Sequence, residues 1–428
     1  MRVSVHTLGC RVNHYESQLI RELLEGLPGT GEVHVVNTCT VTSLAARKSR
    51  KLIRKLRREH PRALIVAVGC RATDAPEELR EAGADIVLGN RDKIRIREAV
   101  EAFLGGESLP SGPWVPLSAE RIQRDHKHVR AILKVQDGCT VACTFCKTWQ
   151  VRGPLRSKPP DVAREEAECL AASGHPEVVV AGINLAQYGL DLPGQPTLVD
   201  LLHELLRVPG IRIRLSSLNP EGVSRELIGL FAEETRLCPY FHLPLQSGDD
   251  RVLSCMGRPY TVSLYRSVAE EILERVPKAT LGTDVMVGFP GEDEEAFGKT
   301  YRLLEELTPL RVHIFRFSPR PGTPAAALPD QVPEALKRER EAALEELAQR
   351  TSLRVRARFL GKTLWVVLER VREGAWEGHS ENFIPVRLSL DGAERGTILP
   401  VRITEVTPEH TVGVMEDRQG VRAGPREP

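Results

Sequence analysis

Six strand-like runs, five of them with β-branched residues, recur between residues 131 and 318: "AILKVQ", "EVVVAG", "IRIRLSS", "FHLPLQ", "ATLGTDVMVGF" and "RVHIFRFS". Stretches with helical character separate them. Parallel strands need a crossover of a dozen or more residues, usually a helix, so such alternation commits the segment to a parallel sheet. Six units are enough for a partial TIM-type (β/α)6 barrel, whose chemistry sits at the C-terminal strand ends. A shorter alternation fills residues 1–106. Here "RVSVHTLGC", "VHVVNTC", "ALIVAVGC" and "ADIVLGN" are separated by a helix pattern with Leu19, Ile20, Leu23 and Leu24, a long basic helix from about Ser43 to His60, and a short one near Pro76 to Ala82. This pattern predicts a smaller, Rossmann-like parallel α/β domain.

Residues 107–128 are rich in Gly, Pro and charge without sustained periodicity, as expected of a linker. The central α/β domain then covers 129–355 and ends in a charged helix from Glu334 to about Arg350. From 356 to 422 the helical signal disappears, and "TLWVVLER", "FIPVRLSL", "GTILPVRITEV" and "TVGVMED" predict a small all-β barrel. A chain of 428 residues exceeds what one hydrophobic core usually fills, which agrees with three domains.

No run approaches the roughly 18 apolar residues of a membrane span, and "MRVSVHTLGC" lacks a signal-peptide core. The expectation is a cytoplasmic protein without a membrane partner. In a reducing compartment nine cysteines do not form a disulfide framework, and clustered ones read as metal ligands. Net charge of +1 carries no global nucleic-acid signature, so any RNA-binding surface must be local.

Cys139, Cys143 and Cys146 form a C-x3-C-x2-C triplet directly after the first of the six strands. Structural zinc wants four ligands in a closed site, whereas a cubane [4Fe–4S] cluster held by three thiolates keeps one iron open for an outside ligand. Zinc with a distant fourth ligand is the alternative. Cys10, Cys39 and Cys70 end three successive strands of the first domain. The C-terminal ends of parallel strands share one edge of a sheet, so residues some thirty positions apart converge there, and a second cluster is expected on these three. Each alone would read as a small buried hydrophobe. Cys169, Cys238 and Cys255 share no such spacing and are expected in the core.

The segments "TLGCRVNHYES", "VVNTCTVT", "AVGC", "DGCTVACTFC", "VRGPLRS", "AGINLAQYGLD", "HLPLQSGDDRVLSCMGRPYT", "TDVMVGFPGEDEEAF" and "FRFSPRPGTPAA", in this order, resemble the radical S-adenosylmethionine methylthiotransferases along nearly the whole chain. The resemblance implies two [4Fe–4S] clusters, one on Cys139, Cys143 and Cys146 that binds S-adenosylmethionine and an auxiliary one on Cys10, Cys39 and Cys70. It also implies a C-terminal TRAM barrel that binds RNA, a tRNA substrate, an external electron donor and a sulfur donor. "GCRVNHYES" is similar to the branch that converts N6-threonylcarbamoyladenosine to its 2-methylthio form. The alternatives are isopentenyladenosine in tRNA, a ribosomal-protein side chain or, from another class, a non-catalytic iron–sulfur RNA-binding protein. After Cys146 this chain departs from the family's aliphatic pair and proline, having Lys147, Thr148, Trp149 and Gln150.

The resemblance puts Phe145 against the cofactor adenine, where a ring face suffices for stacking. Ser216, Ser217 and Gln246, at strand ends, are candidate polar contacts to cofactor or substrate, with ordinary loop hydrogen bonding as the alternative. Gly288 in "GFPGE" is a candidate close backbone approach; the motif is no P-loop, and Pro290-Gly291 suits a type II turn. In "ARKSRKLIRKLRREHPR" eight cations fall within twelve residues beside a stripe of Ala45, Leu52, Ile53 and Leu56. Such a patch suits phosphates, and Arg47, Arg50, Lys51 and Arg54 are candidate RNA contacts, a solvated helix face being the plain alternative. In the last domain Glu381 and Asn382, beside Phe383, are further RNA candidates.

Overall fold

The computed structural model describes residues 1–416; the end of the expected third domain, to residue 422, lies outside them. Four parallel strands, β1 (Arg2–Thr7), β2 (Glu32–Thr38), β3 (Leu64–Gly69) and β4 (Ile86–Leu88), pair in chain order. The inner strand β3 and the short β4 are buried on both faces and are apolar throughout, whereas the edge strand β1 is only partly buried and carries polar residues. Val33, Val35, Val66 and Val68 meet α1 (Arg11–Leu23) on one face, while Val36, Ile65 and Ala67 meet α2 (Ser43–Glu59) on the other. Short helices α3 (Cys70–Asp74) and α4 (Pro76–Glu81) follow β3, and α5 (Ile96–Gly105) closes the unit.

The basic helix α2 is capped by Thr42, whose hydroxyl accepts from the Ala45 amide at 3.1 Å. It is rotated slightly from the expected stripe, with Ala46, Ser49, Ile53 and Leu56 buried and Ala45 half-buried. The connection after α5 is no free linker. Leu117, Glu120 and Ile122 are buried, and Tyr15 and Lys158 both donate to the Glu120 carbonyl, at 2.7 Å each.

The six expected strands form a continuous series: β5 (Arg130–Lys134), then β8 (Glu177–Ala181), β9 (Arg212–Leu215), β10 (Tyr240–His242), β11 (Thr280–Val287) and β12 (Arg311–Arg316). Between β5 and β8 lie the short antiparallel pair β6 (Gln136–Asp137) and β7 (Arg156–Ser157). Ladders join β5, β8 and β9, and β10, β11 and β12; a parallel bridge from Ser217 to His242 links the two groups. The result is the partial barrel that the six runs predict. Outside it pack α6 (Thr148–Arg152), α7 (Pro160–Ala172), α8 (Leu198–Leu206), α9 (Arg225–Glu233), α10 (Asp250–Cys255), α11 (Val262–Arg275), α12 (Glu294–Leu307) and α13 (Glu334–Ala357). Helix α13 runs two turns beyond the expected end, since Thr351 and Val355 remain buried.

Alternation along each strand decides what lines the barrel. Ala131, Leu133, Val178, Val180, Ile213 and Leu215 belong to the hydrophobic cluster under the outer helices. The opposite face carries Arg130, Ile132 and Lys134 on β5, Val179 on β8 and Arg214 on β9, with Ile132, Val179 and Arg214 in register. This face of the three strands therefore sets the cations Arg130, Lys134 and Arg214 among apolar Ile132 and Val179.

The last unit is a closed five-stranded barrel of β13 (Thr363–Arg372), β14 (Ala375–Ser380), β15 (Pro385–Leu388), β16 (Ile398–Val406) and β17 (Thr411–Met415). Strand β14, "AWEGHS", was not expected, because it lacks an apolar alternation. It forms through the tight turn at Glu373 and Gly374, both with positive φ, which returns it antiparallel along β13.

Candidate active site

Each cysteine of the first trio occupies a strand end because the backbone turns sharply there. Cys10 caps α1 just beyond β1, Cys39 follows β2 directly, and Cys70 opens α3 after β3. Gly9 has φ +105°, and a Cβ on it would lie 2.9 Å from the Cys39 sulfur, so only glycine lets these two loops approach. Burial pushes the Cys39 thiol up to about 11, and the neighbouring Cys70 and Cys10 add to the rise. Asn13 holds that site open. Its amide donates to the Leu8 carbonyl at 2.7 Å and the Thr38 carbonyl at 3.1 Å, and its oxygen accepts from the Cys10 thiol at 3.7 Å. Asn90 donates to the Cys70 sulfur at 3.6 Å.

The second trio follows β5 and β6. Gly138, with φ +77°, makes the turn into Cys139, and any side chain there would collide with the Pro154 carbonyl. Every sulfur has a donor. Asn184 reaches Cys139 at 3.7 Å, Arg258 reaches Cys143 at 3.2 Å, and the Thr148 amide reaches Cys146 at 3.3 Å. Burial raises the Cys143 thiol, and the Arg258 guanidinium opposes it. Three thiols with directed N–H donors and no fourth protein ligand assigned to them suit a three-thiolate cluster with an open iron better than a closed zinc site. Arg258, 115 positions from Cys143, is also held by Asn219 at 2.9 Å, a contact that spacing cannot reveal.

Phe145 packs edge-on against Phe289, with ring centroids 6.3 Å apart, beside Met286. The Ser216 hydroxyl is buried without a hydrogen-bond partner among the described residues, and Ser217 is half-buried next to it. Gln246 lies four residues beyond the end of β10, not at its end as expected, and adopts a left-handed φ of +68° beside an isolated bridge to Val285. At Gly288 the close neighbour is Lys337: the space a Cβ would fill holds its aliphatic stem, and the Gly288 amide donates to Glu292 at 2.9 Å. Pro290-Gly291 forms the expected turn, closed by the Glu292 amide on the Phe289 carbonyl at 2.9 Å.

The two trios are laced together by buried charge. Lys134 is fully buried and contacts Glu16 at 2.8 Å, Glu120 at 2.7 Å and Asp137 at 2.6 Å. Arg152, at the end of α6, pairs with Glu16 at 2.6 Å and lies within electrostatic reach of Cys70 and Cys10. Burial alone would raise the Glu16 and Asp137 carboxyls, but Arg152, Lys134 and Lys93 hold both far below the usual carboxylate range. Lys147, in the segment that departs from the resemblance, reaches Asp74 at 3.1 Å.

Along α2, Arg47, Lys51 and Arg54 are exposed, whereas Arg50 is engaged by Glu78 at 2.7 Å. Glu381 and Asn382 are buried where the small barrel meets the larger one. Glu381 accepts from the Trp365 amide at 2.6 Å and pairs with Lys278, and Asn382 donates to the Lys278 carbonyl at 3.1 Å. Their polar atoms are consumed within the protein. Of the other cysteines, Cys238 is buried as expected, Cys169 is half-buried and Cys255 is exposed, because α10 ends at the surface beside Thr144.

Family models match twice: the Radical SAM superfamily over residues 133–304 and an uncharacterized family, UPF0004, over residues 2–89. The chain is 37% identical to the threonylcarbamoyladenosine tRNA methylthiotransferase MtaB of Thermotoga maritima, over 97% of each chain. The chain belongs to the radical SAM methylthiotransferase family. This methylthiotransferase is also 33% identical to the Bacillus subtilis MtaB, over 94% of this chain and 93% of that one. It is 36% identical to a tRNA-2-methylthio-N(6)-dimethylallyladenosine synthase of Dictyoglomus thermophilum, over 93% and 95%. Among solved structures it shares the fold of the radical S-adenosylmethionine methyltransferase TsrM of Kitasatospora setae, with a TM-score of 0.55 at 17% identity, covering 74% of this chain and 67% of that one. Membership makes the protein a radical SAM enzyme that uses S-adenosylmethionine and a [4Fe–4S] cluster.

Proposed function

We propose that this enzyme methylthiolates C2 of N6-threonylcarbamoyladenosine next to the anticodon of tRNA, using two [4Fe–4S] clusters. One observation carries the reading: the segment after Cys146 and the loops that hold Cys70 are built as a unit, since Asn90 donates both to the Cys70 sulfur at 3.6 Å and to the Val151 carbonyl at 2.8 Å. A sulfur-bearing centre and a radical-generating centre must address the same carbon, and a shared contact between the Cys70 loop and the segment after Cys146 supports that arrangement. When bound, a cluster on Cys139, Cys143 and Cys146 supplies the electron that splits S-adenosylmethionine into methionine and a 5′-deoxyadenosyl radical, and one on Cys10, Cys39 and Cys70 supplies the sulfur.

The protein's own part is positional. Arg258, Asn184 and the Thr148 amide hold the three sulfurs of the radical centre, and Phe145, Ser216, Ser217 and Gln246 line the cofactor's place. Asn13, Asn90 and Arg152 fix the sulfur-bearing centre. Exposed Arg47, Lys51 and Arg54 offer phosphate contacts, the small barrel is a TRAM-like RNA-binding unit, and a tRNA substrate places the enzyme in the cytoplasm with an external reductant and a sulfur donor. The exposed cations of α2 and the relatives' shared tRNA chemistry favour this reading over a ribosomal-protein substrate.

The test is nucleoside mass spectrometry of tRNA incubated with reconstituted enzyme, reductant and S-adenosylmethionine, with Cys10→Ala and Cys143→Ala variants alongside. A 2-methylthio product only on threonylcarbamoylated tRNA is expected. Cys143→Ala should abolish 5′-deoxyadenosine, whereas Cys10→Ala should lose the methylthio product and roughly half the iron while still cleaving the cofactor. Product on isopentenylated tRNA instead would move the substrate to that branch.

A further inference from the structure

Arg11 follows Cys10 directly and is the first residue of α1. Its side chain shares a wall with Arg130 on β5 and Arg214 on β9 and remains accessible to solvent there. Arg311 on β12, also exposed, and the Tyr240 hydroxyl on β10 lie within its electrostatic reach. A cavity of about 420 Å³ opens here. Its wall brings Arg11, Lys127, Arg130, Arg214, Arg370 and Arg395 together against one carboxylate, Glu369.

Most of these cations are already engaged. Arg130 pairs with Glu369 at 3.1 Å, Arg214 with Glu177 at 2.6 Å, and Arg370 with Glu377 at 2.7 Å. Arg395 donates to the Lys127 carbonyl at 2.8 Å and the Glu369 carbonyl at 3.0 Å. Arg11 has no hydrogen bond or ion pair among the described residues, and Arg311 has only the face of Phe383, 5.2 Å from its centroid. Like charges gathered along one cavity wall repel one another in the empty protein and favour an anion that enters. The C-terminal barrel contributes Glu369, Arg370 and Arg395 to this wall. A cavity of this size suits a terminal charged group on a side arm rather than a running phosphodiester chain.

We propose that this cavity receives the carboxylate of the threonylcarbamoyl arm and that Arg11, supported by Arg311, grips it. The proposal rests on the substrate reading above and deepens it. The arm leaves the adenine at N6, so a base presented beside Cys10 directs its carboxylate away from the sulfur-bearing centre, toward the guanidinium one residue on. Arg11 is then a specificity-determining residue. An apolar arm would bring no charge to Arg11 and forgo that pairing, so the site discriminates by the charge-assisted contact it makes with a carboxylate.

The experiment measures binding of two anticodon stem-loop RNAs to the reconstituted enzyme, one bearing threonylcarbamoyladenosine and one its carboxyl methyl ester, with iron content and cluster absorbance recorded for each variant. The wild type should bind the free carboxylate more tightly by ~10-fold or more, as a charge-assisted pair requires. R11Q should bind both RNAs at the ester's affinity with its iron retained, and R11K should keep part of the preference. If R11Q loses iron, R311Q, far in sequence from every cysteine trio, decides by the same comparison. Equal binding of the two RNAs by the wild type, or an undiminished preference in R11Q or R311Q with clusters loaded, overturns the proposal. Failure of the substrate reading shows separately, as absence of methylthio product on threonylcarbamoylated tRNA with the wild type.

Discussion

Lys147, one residue after Cys146, places its ammonium 3.1 Å from the carboxylate of Asp74, four residues after Cys70. Both side chains are about nine-tenths buried. The pair ties the loop of one cysteine trio to the helix that begins with a member of the other. Gln150 extends the tie, accepting from Lys147 at 3.0 Å and donating to the Gly322 carbonyl at 3.0 Å. The segment that departs from the family pattern thus serves as a brace between the two sites.

Cutting that brace should uncouple cofactor cleavage from product formation. Lys147→Ala removes a buried partner but leaves Asp74 with Arg71 and the Thr40 hydroxyl, so the stability loss should be about 1–3 kcal/mol. The ratio of 5′-deoxyadenosine to methylthio product, measured by chromatography, should rise several-fold. An unchanged ratio would show that the two loops keep their relation without the pair.

Lys134 is the centre of the buried charge network, and three carboxylates depend on it. Lys134→Met should cost ~3–5 kcal/mol in unfolding free energy, because removing one member of a buried ionic set leaves its partners uncompensated. Denaturant unfolding of the apoprotein measures this. A loss below 1 kcal/mol would mean that Lys93, Arg152 and Arg156 suffice by themselves.

Glu177 gives the fold a defined acid dependence. Burial alone would raise its carboxyl, but Arg214 and Arg212 overcome it and hold the group well below the ordinary glutamate value of 4.5. A carboxyl depressed in the folded state contributes stability above its unfolded-state value and loses it as pH falls toward its native value. Glu177→Gln should therefore be less stable than wild type at pH 7, with the gap narrowing below about pH 4.5. Thermal unfolding across pH is the measurement, and a gap that widens toward acid would contradict the assignment.

On α2, Lys51 and Arg54 are exposed cations, and neither is engaged as Arg50 is by Glu78. The Lys51→Glu, Arg54→Glu double variant should weaken tRNA binding roughly tenfold or more at low salt and reduce the slope of log affinity against log salt by about 2. Stability should change by no more than about 0.5 kcal/mol, as for most surface substitutions. Unchanged affinity across a salt series would remove α2 from the RNA interface.

Much of the architecture is legible because local pattern and global layering agree. Six strand-like runs become six barrel strands, and cysteines at three strand ends converge because parallel strands must share an edge. What escaped the sequence is of another kind. Strand β14 is paired by its turn and not by its own apolar pattern. Glu381 and Asn382, polar and close to Phe383, read as an RNA-facing edge but are spent on the junction with the barrel. Residues 107–128 look like a loose connection, yet Glu120 sits 2% exposed among lysines and arginines from two sheets.

The sequence alone determined the layers, the two thiol sets and the reaction family, since these follow from periodicity, strand-end position and ordered motifs. The tertiary structure decided which charges stay unpaired. Arg11 and Arg50 are each one arginine among many in the chain; folding gives Arg50 a carboxylate from Glu78 and sets Arg11 within electrostatic reach of three other arginines. Charge compensation depends on neighbours tens to hundreds of residues apart in the chain, and only the closed fold brings them within Coulombic reach.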